Sequence, residues 1–163
     1  IIKQMIMLSE QSISFVIGGL AIPELSTAAG HAGNVYDIAA LSSLAQEGFM
    51  SNNLIYPYFS RIAISAYDNT RALHTALEYY NSISGPGWTE VAIISEVTPI
   101  STDFSQSFIE TAEAVRIIEY RTFLPGETNF EDDLQKIKES GARVILVSVA
   151  LNITSLLTSA DEM

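Results

Sequence analysis

Small hydroxyl side chains follow a short apolar run in the first third of the chain. Ser42 and Ser43 come directly after residues 38–41, which this run predicts to be a buried strand. Open α/β sheets bind ligands at the carboxyl ends of their strands, where a serine hydroxyl and nearby backbone N–H groups can donate to a ligand carboxylate. We therefore predict Ser42 and Ser43 as ligand-binding residues, with a helix cap or a turn as the structural alternative.

A second polar segment follows the apolar run 91–94. Its residues Glu96 and Thr98 are predicted to approach the same ligand from the other side, with Glu96 pairing with a ligand amine. The alternative for Glu96 is a solvated position in a loop. The next residues, 101–103, are predicted to cap a helix that begins near Phe104.

Signatures of catalysis and of metal binding are missing from the sequence. It contains no Gly-x-Ser-x-Gly elbow, no Walker loop and no His-Glu-x-x-His. His31 and His74 fall inside predicted helices, where a single histidine usually has a packing or surface role. The acidic run 131–133 suits the start of a helix better than a calcium site. We therefore expect no enzyme activity, no metal and no cofactor.

Composition excludes further classes. Acidic residues outnumber basic residues 19 to 8 in 163 residues, and the net charge of -11 repels phosphate backbones, so we expect no nucleic-acid partner. The chain has no cysteine, which excludes disulfides and thiolate zinc sites. No apolar run reaches the roughly 20 residues that span a bilayer. We expect the chain to be an excerpt whose membrane link lies in segments outside it.

The order of predicted elements indicates an α/β fold. Strands are predicted at residues 13–17, 38–41, 56–64, 91–95, 117–123 and 144–150. Helices are predicted at residues 1–8, from 23 to 31 or 34, and at 69–83, 104–115, 130–140 and from 153 onward. The segment 46–53 is predicted to be a loop. Strands that alternate with helices of this length favour parallel sheets covered by helices.

One stretch of the chain resembles a known family. Pro57, Tyr58, Phe59 and Arg61 lie in a strand, a helix follows, and Gly87-Trp88 precede a strand rich in branched residues. This order is similar to the type 1 periplasmic-binding fold in the ligand-binding regions of natriuretic-peptide-type receptors and class C G-protein-coupled receptors.

The resemblance implies two lobes, each a parallel sheet covered by helices and each present in part. Residues 1–64 would belong to lobe 1 and residues 65–163 to lobe 2. We expect one sheet to pair residues 15–16 with 39–40, and the other to pair residues 92–93 with Ile118 and with 145–146. Trp88 is expected to pack under the helix that connects the lobes.

The type B γ-aminobutyric acid receptor subgroup carries a Ser-Thr pair and a later Leu-Ser strand end, which Ser26-Thr27 and Leu41-Ser42 resemble. This adds Ser26 to the predicted ligand-binding residues. The family commonly holds an amino-acid carboxylate with hydroxyl-rich turns, whereas residues 20–22 are apolar here and residues 44–46 are Leu-Ala-Gln.

The resemblance implies the extracellular, cell-surface or periplasmic ligand-binding region of a membrane receptor. It would bind a small, amino-acid-like molecule between the lobes and form a dimer or larger assembly through lobe 1. An alternative is a structural or adhesive module that keeps the fold without a working pocket, and a more remote one is an enzyme on a flavodoxin-like sheet. Residues 152–154 also fit the glycosylation acceptor pattern.

Overall fold

The computed structural model describes residues 2–18, 23–149 and 153–161. Within them the chain alternates helices and strands and divides into a first compact unit, residues 1–66, and a second, residues 67–163. The helices are α1 (Ile2–Glu10), α2 (Pro23–Tyr36), α3 (Ala66–Ser84), α4 (Pro99–Glu110), α5 (Glu131–Ser140) and α6 (Ile153–Asp161). The strands are β1 (Phe15–Gly18), β2 (Ala39–Ser42), β3 (Phe59–Arg61), β4 (Glu90–Glu96), β5 (Arg116–Phe123) and β6 (Val144–Ser148).

The strands form two separate parallel sheets, which confirms the predicted fold class. In the first unit the order is β1-β2-β3, and Phe15 pairs with Ala39 as expected. In the second unit the order is β5-β4-β6, and Ala92 pairs with Ile145. A register shift between Val91 and Ala92 places Ala92 opposite Glu119, so the predicted partner Ile118 falls in the irregularity.

Strand β4 is the centre of the second unit. Its side chains from Val91 to Ile94 are fully buried. Val91 and Ile93 pack with Phe108 of α4, while Ala92 and Ile94 pack in the cluster that contains α5 and α6 side chains. Helices therefore cover both faces of β4, as a central parallel strand requires.

The first unit has a smaller core built around β2. Ala40 packs with Ala45, Met50, Tyr56 and Phe59 in one cluster. A second cluster joins α1, α2 and the residue before β2 through Met5, Ala32 and Ile38. In the segment predicted to be a loop, residues Gly48–Ser51 form one turn of 3₁₀-helix.

Strand β3 is much shorter than the predicted strand 56–64. Tyr56 instead belongs to a turn, because its N–H donates to Asn52 O at 2.9 Å and its carbonyl accepts from Phe59 N at 3.2 Å. The buried Tyr56 ring then fills the core of the first unit. The prediction was wrong because apolar content alone does not separate a strand from a buried turn.

Helix α4 begins five residues before the predicted start near Phe104. Thr98 is its N-cap, accepting a hydrogen bond from Ser101 N at 3.3 Å, and Pro99 occupies the first turn. The prediction that residues 101–103 cap the helix was therefore wrong, since they lie inside it. Proline is favoured in the first turn because its φ angle is already helical and no N–H is needed there.

Helix α3 packs on α4 through polar side chains. His74 Nε2 donates to Phe108 O at 2.9 Å, and Thr70 Oγ donates to Ser107 O at 3.4 Å. Both carbonyls lie in the last turn of α4. Leu77 of α3 also packs on the apolar cluster that contains Phe108, whereas Leu73 and Tyr80 are exposed.

Trp88 packs against α3, as predicted. Its ring stacks on Tyr80 with 5.2 Å between ring centroids, and the Arg143 guanidinium lies 4.9 Å from the Trp88 ring. Arg143 Nη1 also donates to Pro86 O at 3.0 Å. This cluster fixes the turn between α3 and β4.

A tyrosine at the start of α3 binds a glutamate at the end of α4. Tyr67 Oη donates to Glu110 Oε2 at 2.6 Å, and Gln106 Nε2 donates to Glu110 Oε1 at 2.9 Å. The hydrogen bond to the carboxylate raises the pKa of Tyr67 to about 12, with smaller contributions from burial and from the Glu110 charge. The same hydrogen bond lowers the pKa of Glu110.

We expect a transition of Tyr67 near pH 12 in an alkaline titration followed by tyrosinate absorbance. Because its folded-state pKa is raised, its contribution to stability is complete below about pH 10 and is lost as the pH rises to about 12. Tyr67→Phe should remove this transition, whereas Tyr79→Phe on the same helix should leave it in place. Ionisation of every tyrosine near pH 10 would contradict the contact.

Two glycines of α2 give a matched test of packing in the first unit. A Cβ at Gly33 would lie 2.5 Å from the backbone oxygen of Ile38, whereas a Cβ at Gly30 would meet side-chain atoms of Tyr56 and Met50 at 2.8 and 3.0 Å. Alanine adds about 1 kcal/mol of helix propensity at either position. Only at Gly33 must the backbone move to accommodate the added Cβ.

Gly33→Ala is therefore expected to lower the free energy of unfolding, because a backbone clash of this kind costs about 1–3 kcal/mol. Gly30→Ala should lower it less, since the atoms that the Cβ meets belong to the Tyr56 and Met50 side chains, which can shift without movement of the backbone. Guanidinium unfolding followed by circular dichroism measures both variants. A Gly33→Ala protein as stable as the parent would show that the contact between α2 and Ile38 is looser than the structure has it.

Candidate ligand-binding ends of the sheets

Ser42 is the last residue of β2 and is fully buried. Its Oγ accepts hydrogen bonds from Leu44 N at 3.3 Å and from Ala45 N at 3.0 Å. The side chain therefore shapes the turn after β2, which is the structural alternative considered for it. Ser43 is exposed, so its hydroxyl is accessible to a ligand.

The turns at the carboxyl end of the first sheet are tied together by backbone groups. Ile62 N donates to Ser42 O at 2.9 Å, and Ala66 N donates to Gln46 O at 2.8 Å. Arg61 adds a hydrogen bond from Nη1 to Glu47 O at 2.5 Å and another from Nη2 to Ser51 Oγ. These hydrogen bonds thus fix the segments after β2 and β3 relative to each other.

The sequence identified Arg61 only as a marker of the family pattern. Its structural role was missed because the oxygens that it binds lie 10 and 14 residues away along the chain, in a segment predicted to be a loop. Arginine suits this role because its planar guanidinium presents several N–H donors in a fixed geometry. No local sequence signal identifies those partners.

Ser26 lies in the first turn of α2 and is fully buried. It is inside the helix and is not its cap. Residues 20–22, the apolar stretch at the carboxyl end of β1, lie outside the described residues, as does Asn152 of the glycosylation pattern. Among the predicted ligand-binding residues of the first unit, Ser43 is therefore the one whose side chain is exposed.

Glu96 and Thr98 both lie at the carboxyl end of β4, as predicted. Glu96 is the last residue of the strand and is 1% exposed, and its carbonyl accepts from Thr98 N at 2.8 Å. The Thr98 side chain is used as the N-cap of α4. Glu96 is therefore not a solvated loop residue, which was the alternative considered for it.

A network of buried serines surrounds the end of β4. Ser105 Oγ donates to Ser95 Oγ at 3.0 Å, and Ser95 Oγ and Ser148 Oγ both donate to Ser101 O, at 3.4 and 3.0 Å. Sequence reasoning missed this network. Its signal was the spacing of Ser101 and Ser105, one helical turn apart, together with serines at the ends of two neighbouring strands.

The serine network gives hydrogen-bond partners to hydroxyl groups that β4, β6 and α4 bring together inside the second unit. Ser95 and Ser148 are paired positions of β4 and β6, so their side chains emerge side by side. Buried hydroxyl groups need hydrogen-bond partners, and each serine finds one within the second unit. These serines therefore position the end of the sheet and are not exposed as ligand contacts.

A surface cavity of about 320 Å³ lies beside α5 in the second unit. Its lining consists of charged and amide side chains: Arg121, Glu127, Asn129, Asp132, Asp133 and Lys136. Arg121 is paired with Asp133 at 2.6 Å, and Glu127 Oε2 accepts from Leu124 N at 3.1 Å. Three of the lining side chains, those of Arg121, Asp133 and Glu127, are therefore held by contacts within the protein.

The acidic run at the start of α5 has the structural role that was predicted. Glu131, Asp132 and Asp133 occupy the first turn of the helix, where carboxylates favour the positive end of its dipole. Within residues 2–18, 23–149 and 153–161, no three acidic or histidine side chains form a group suited to a metal ion. None of the described helices combines the length and the apolar character needed to cross a bilayer.

Comparison with known proteins agrees with the architecture. A search of curated proteins finds no matching relative. The family model described as the receptor family ligand binding region, ANF receptor, matches residues 2–163. Regions of this family are typically extracellular or periplasmic. The match covers nearly the whole chain, and the chain belongs to the ANF receptor family of ligand-binding regions.

Proposed function

We propose that this region binds a small molecule at the carboxyl ends of its two sheets, in the cleft between the lobes of a membrane receptor's extracellular part. The observation that carries the proposal is the rigid carboxyl end of the first sheet, where hydrogen bonds fix the turns and leave Ser43 and Gln46 exposed. Family membership supports a binding function, and the proposal contains no catalytic step.

Preorganisation is the physical reason why these turns suit a ligand. Turns that are already fixed lose little conformational entropy when a ligand binds, so more of the contact energy appears as affinity. The Ser42 hydroxyl contributes indirectly, because it accepts from Leu44 N and Ala45 N and so holds Ser43 in place. Ser43 is the predicted direct contact.

A structural or adhesive module without a pocket is the second candidate. It is favoured by the burial of Ser26, Ser42 and Glu96 and by the capping role of Thr98, which together assign four of the five predicted ligand residues to the interior or to a cap. Assembly through lobe 1 and membrane attachment through other segments stay predictions under either candidate.

A thermal-shift screen of small molecules on the full-length receptor region tests the proposal. A ligand present at 100 times its dissociation constant should add about 2.7 kcal/mol to the stability of the folded state. Failure of every compound class, charged and uncharged, to raise the melting temperature would favour the structural module.

Two neighbouring serine variants then separate binding from folding. Ser43→Ala should weaken the ligand by about tenfold with an unchanged melting temperature, because an exposed hydroxyl contributes to stability only when the ligand is bound. Ser42→Ala should lower the free energy of unfolding by about 1–3 kcal/mol, since it leaves buried N–H groups without their acceptor. Unchanged affinity in Ser43→Ala would remove this residue from the site.

A further inference from the structure

The cavity beside α5 is bounded by three segments that follow one another in the chain. Arg121 lies on β5, Glu127 and Asn129 lie in the turn after this strand, and Asp132 and Lys136 lie on α5. The volume of about 320 Å³ falls at the lower end of the range of about 300–1,000 Å³ for ligand pockets, so the cavity suits a small molecule. All of its lining belongs to the second unit, and the cavity is complete without the first.

Hydrogen bonds hold the turn that forms one wall of the cavity. Leu124 N donates to Glu127 Oε2 at 3.1 Å, and Glu127 N donates to Leu124 O at 3.1 Å. Asn129 Oδ1 accepts from Glu131 N at 3.1 Å, which joins the turn to the start of α5. Phe130 between them is buried in the core. Because this wall is already fixed, a ligand loses little affinity to the ordering of the protein.

The ion pair between β5 and α5 leaves hydrogen-bonding capacity on both of its partners. Arg121 Nε and Nη2 both approach Asp133 Oδ1, at 2.7 and 2.6 Å. Arg121 Nη1 lies 3.9 Å from Glu119 Oε1, which is beyond hydrogen-bonding distance. Among the residues that the structure describes, Arg121 Nη1 and Asp133 Oδ2 therefore have no hydrogen-bond partner.

Asp132 and Lys136 present opposite charges on the same face of α5. They are one helical turn apart, which places their Cβ atoms about 6 Å from each other. Both residues are exposed, and neither has a hydrogen-bond or ion-pair partner within the described part of the chain. The cavity thus offers a cation and an anion that do not neutralise each other.

We propose that this cavity binds a small zwitterion whose ammonium and carboxylate groups are separated by a short hydrocarbon chain. Lys136 binds the carboxylate and Asp132 binds the ammonium group, each by a charge-assisted hydrogen bond. The lining carries two basic and three acidic side chains, so a ligand with a single charge of either sign would meet a like charge. This is a second site, in addition to the one proposed around Ser43.

The spacing of the two side chains sets the length of the ligand. Charges presented one helical turn apart, about 6 Å along α5, are reached together by a molecule whose own charges are similarly separated. In 5-aminopentanoate four methylene groups separate the ammonium and carboxylate groups, so the extended molecule contacts both Asp132 and Lys136. In glycine one carbon separates them, and the molecule contacts one side chain at a time.

The test is isothermal titration calorimetry of 5-aminopentanoate with the full-length receptor region. We expect saturable binding of this compound. Pentanoate and pentylamine each lack one of the two charges and should bind at least about tenfold more weakly, because each loses one hydrogen bond to a charged group. Glycine should also bind at least about tenfold more weakly, for the same reason.

Variants of α5 locate the binding in the cavity. Lys136→Gln and Asp132→Asn should each weaken 5-aminopentanoate binding by about tenfold or more. Lys138→Gln and Glu131→Gln are matched controls, because they remove the same charges from the same helix at positions outside the lining. Both controls should leave the dissociation constant unchanged. Circular dichroism melting of every variant verifies that the folded state is retained.

The outcomes separate this site from the one proposed around Ser43. Equal losses in the control and cavity variants would indicate a general effect of net charge and overturn the second site. Absence of saturable binding, or equally tight binding of pentanoate or pentylamine, would also overturn it. Affinity lost in Ser43→Ala and retained in Lys136→Gln would assign the zwitterion to the site around Ser43, which overturns the second site and leaves the proposed function standing.

Discussion

Burial of β4 from both sides is the constraint on which the second unit depends. Its side chains from Val91 to Ile94 have no exposed surface, so α4 must cover one face and α5 and α6 the other. The burial extends past the apolar run to Ser95 and Glu96. Polar groups at this depth need partners inside the protein, which explains the serine network beside them. Exposure begins again at Val97.

The need of buried polar groups for partners also explains why residues that could bind a ligand stabilise the fold instead. A serine that follows a strand can donate to a ligand or accept from the next backbone N–H groups, and the sequence is identical in the two cases. At Ser42 the turn places Leu44 N and Ala45 N within reach, so the hydroxyl is turned inward. Position at the end of the sheet was predictable from the sequence, whereas side-chain direction depended on the turn.

Periodic apolar patterns predicted all six described strands, because burial of a central strand leaves a strong local signal. The division into two parallel sheets was implied by the family resemblance. The errors arose where hydrogen bonds and turns, which leave no periodic pattern, decided the outcome. Helix α3 has an apolar stripe, yet Thr70 and His74 also bind α4, by donating to Ser107 O and Phe108 O. The length of β3 depended on Tyr56, whose turn is fixed by Asn52. The start of α4 could have been predicted from Pro99, because proline is favoured in the first turn of a helix.

The stack of Tyr80, Trp88 and Arg143 has a spectroscopic consequence. Trp88 is the single tryptophan of the chain and lies in the second unit. Its indole contacts both an aromatic ring and a guanidinium group, so its emission reports the integrity of the α3–β4 turn. The first unit contributes tyrosine emission alone. Excitation selective for tryptophan would therefore follow unfolding of the second unit without a signal from the first.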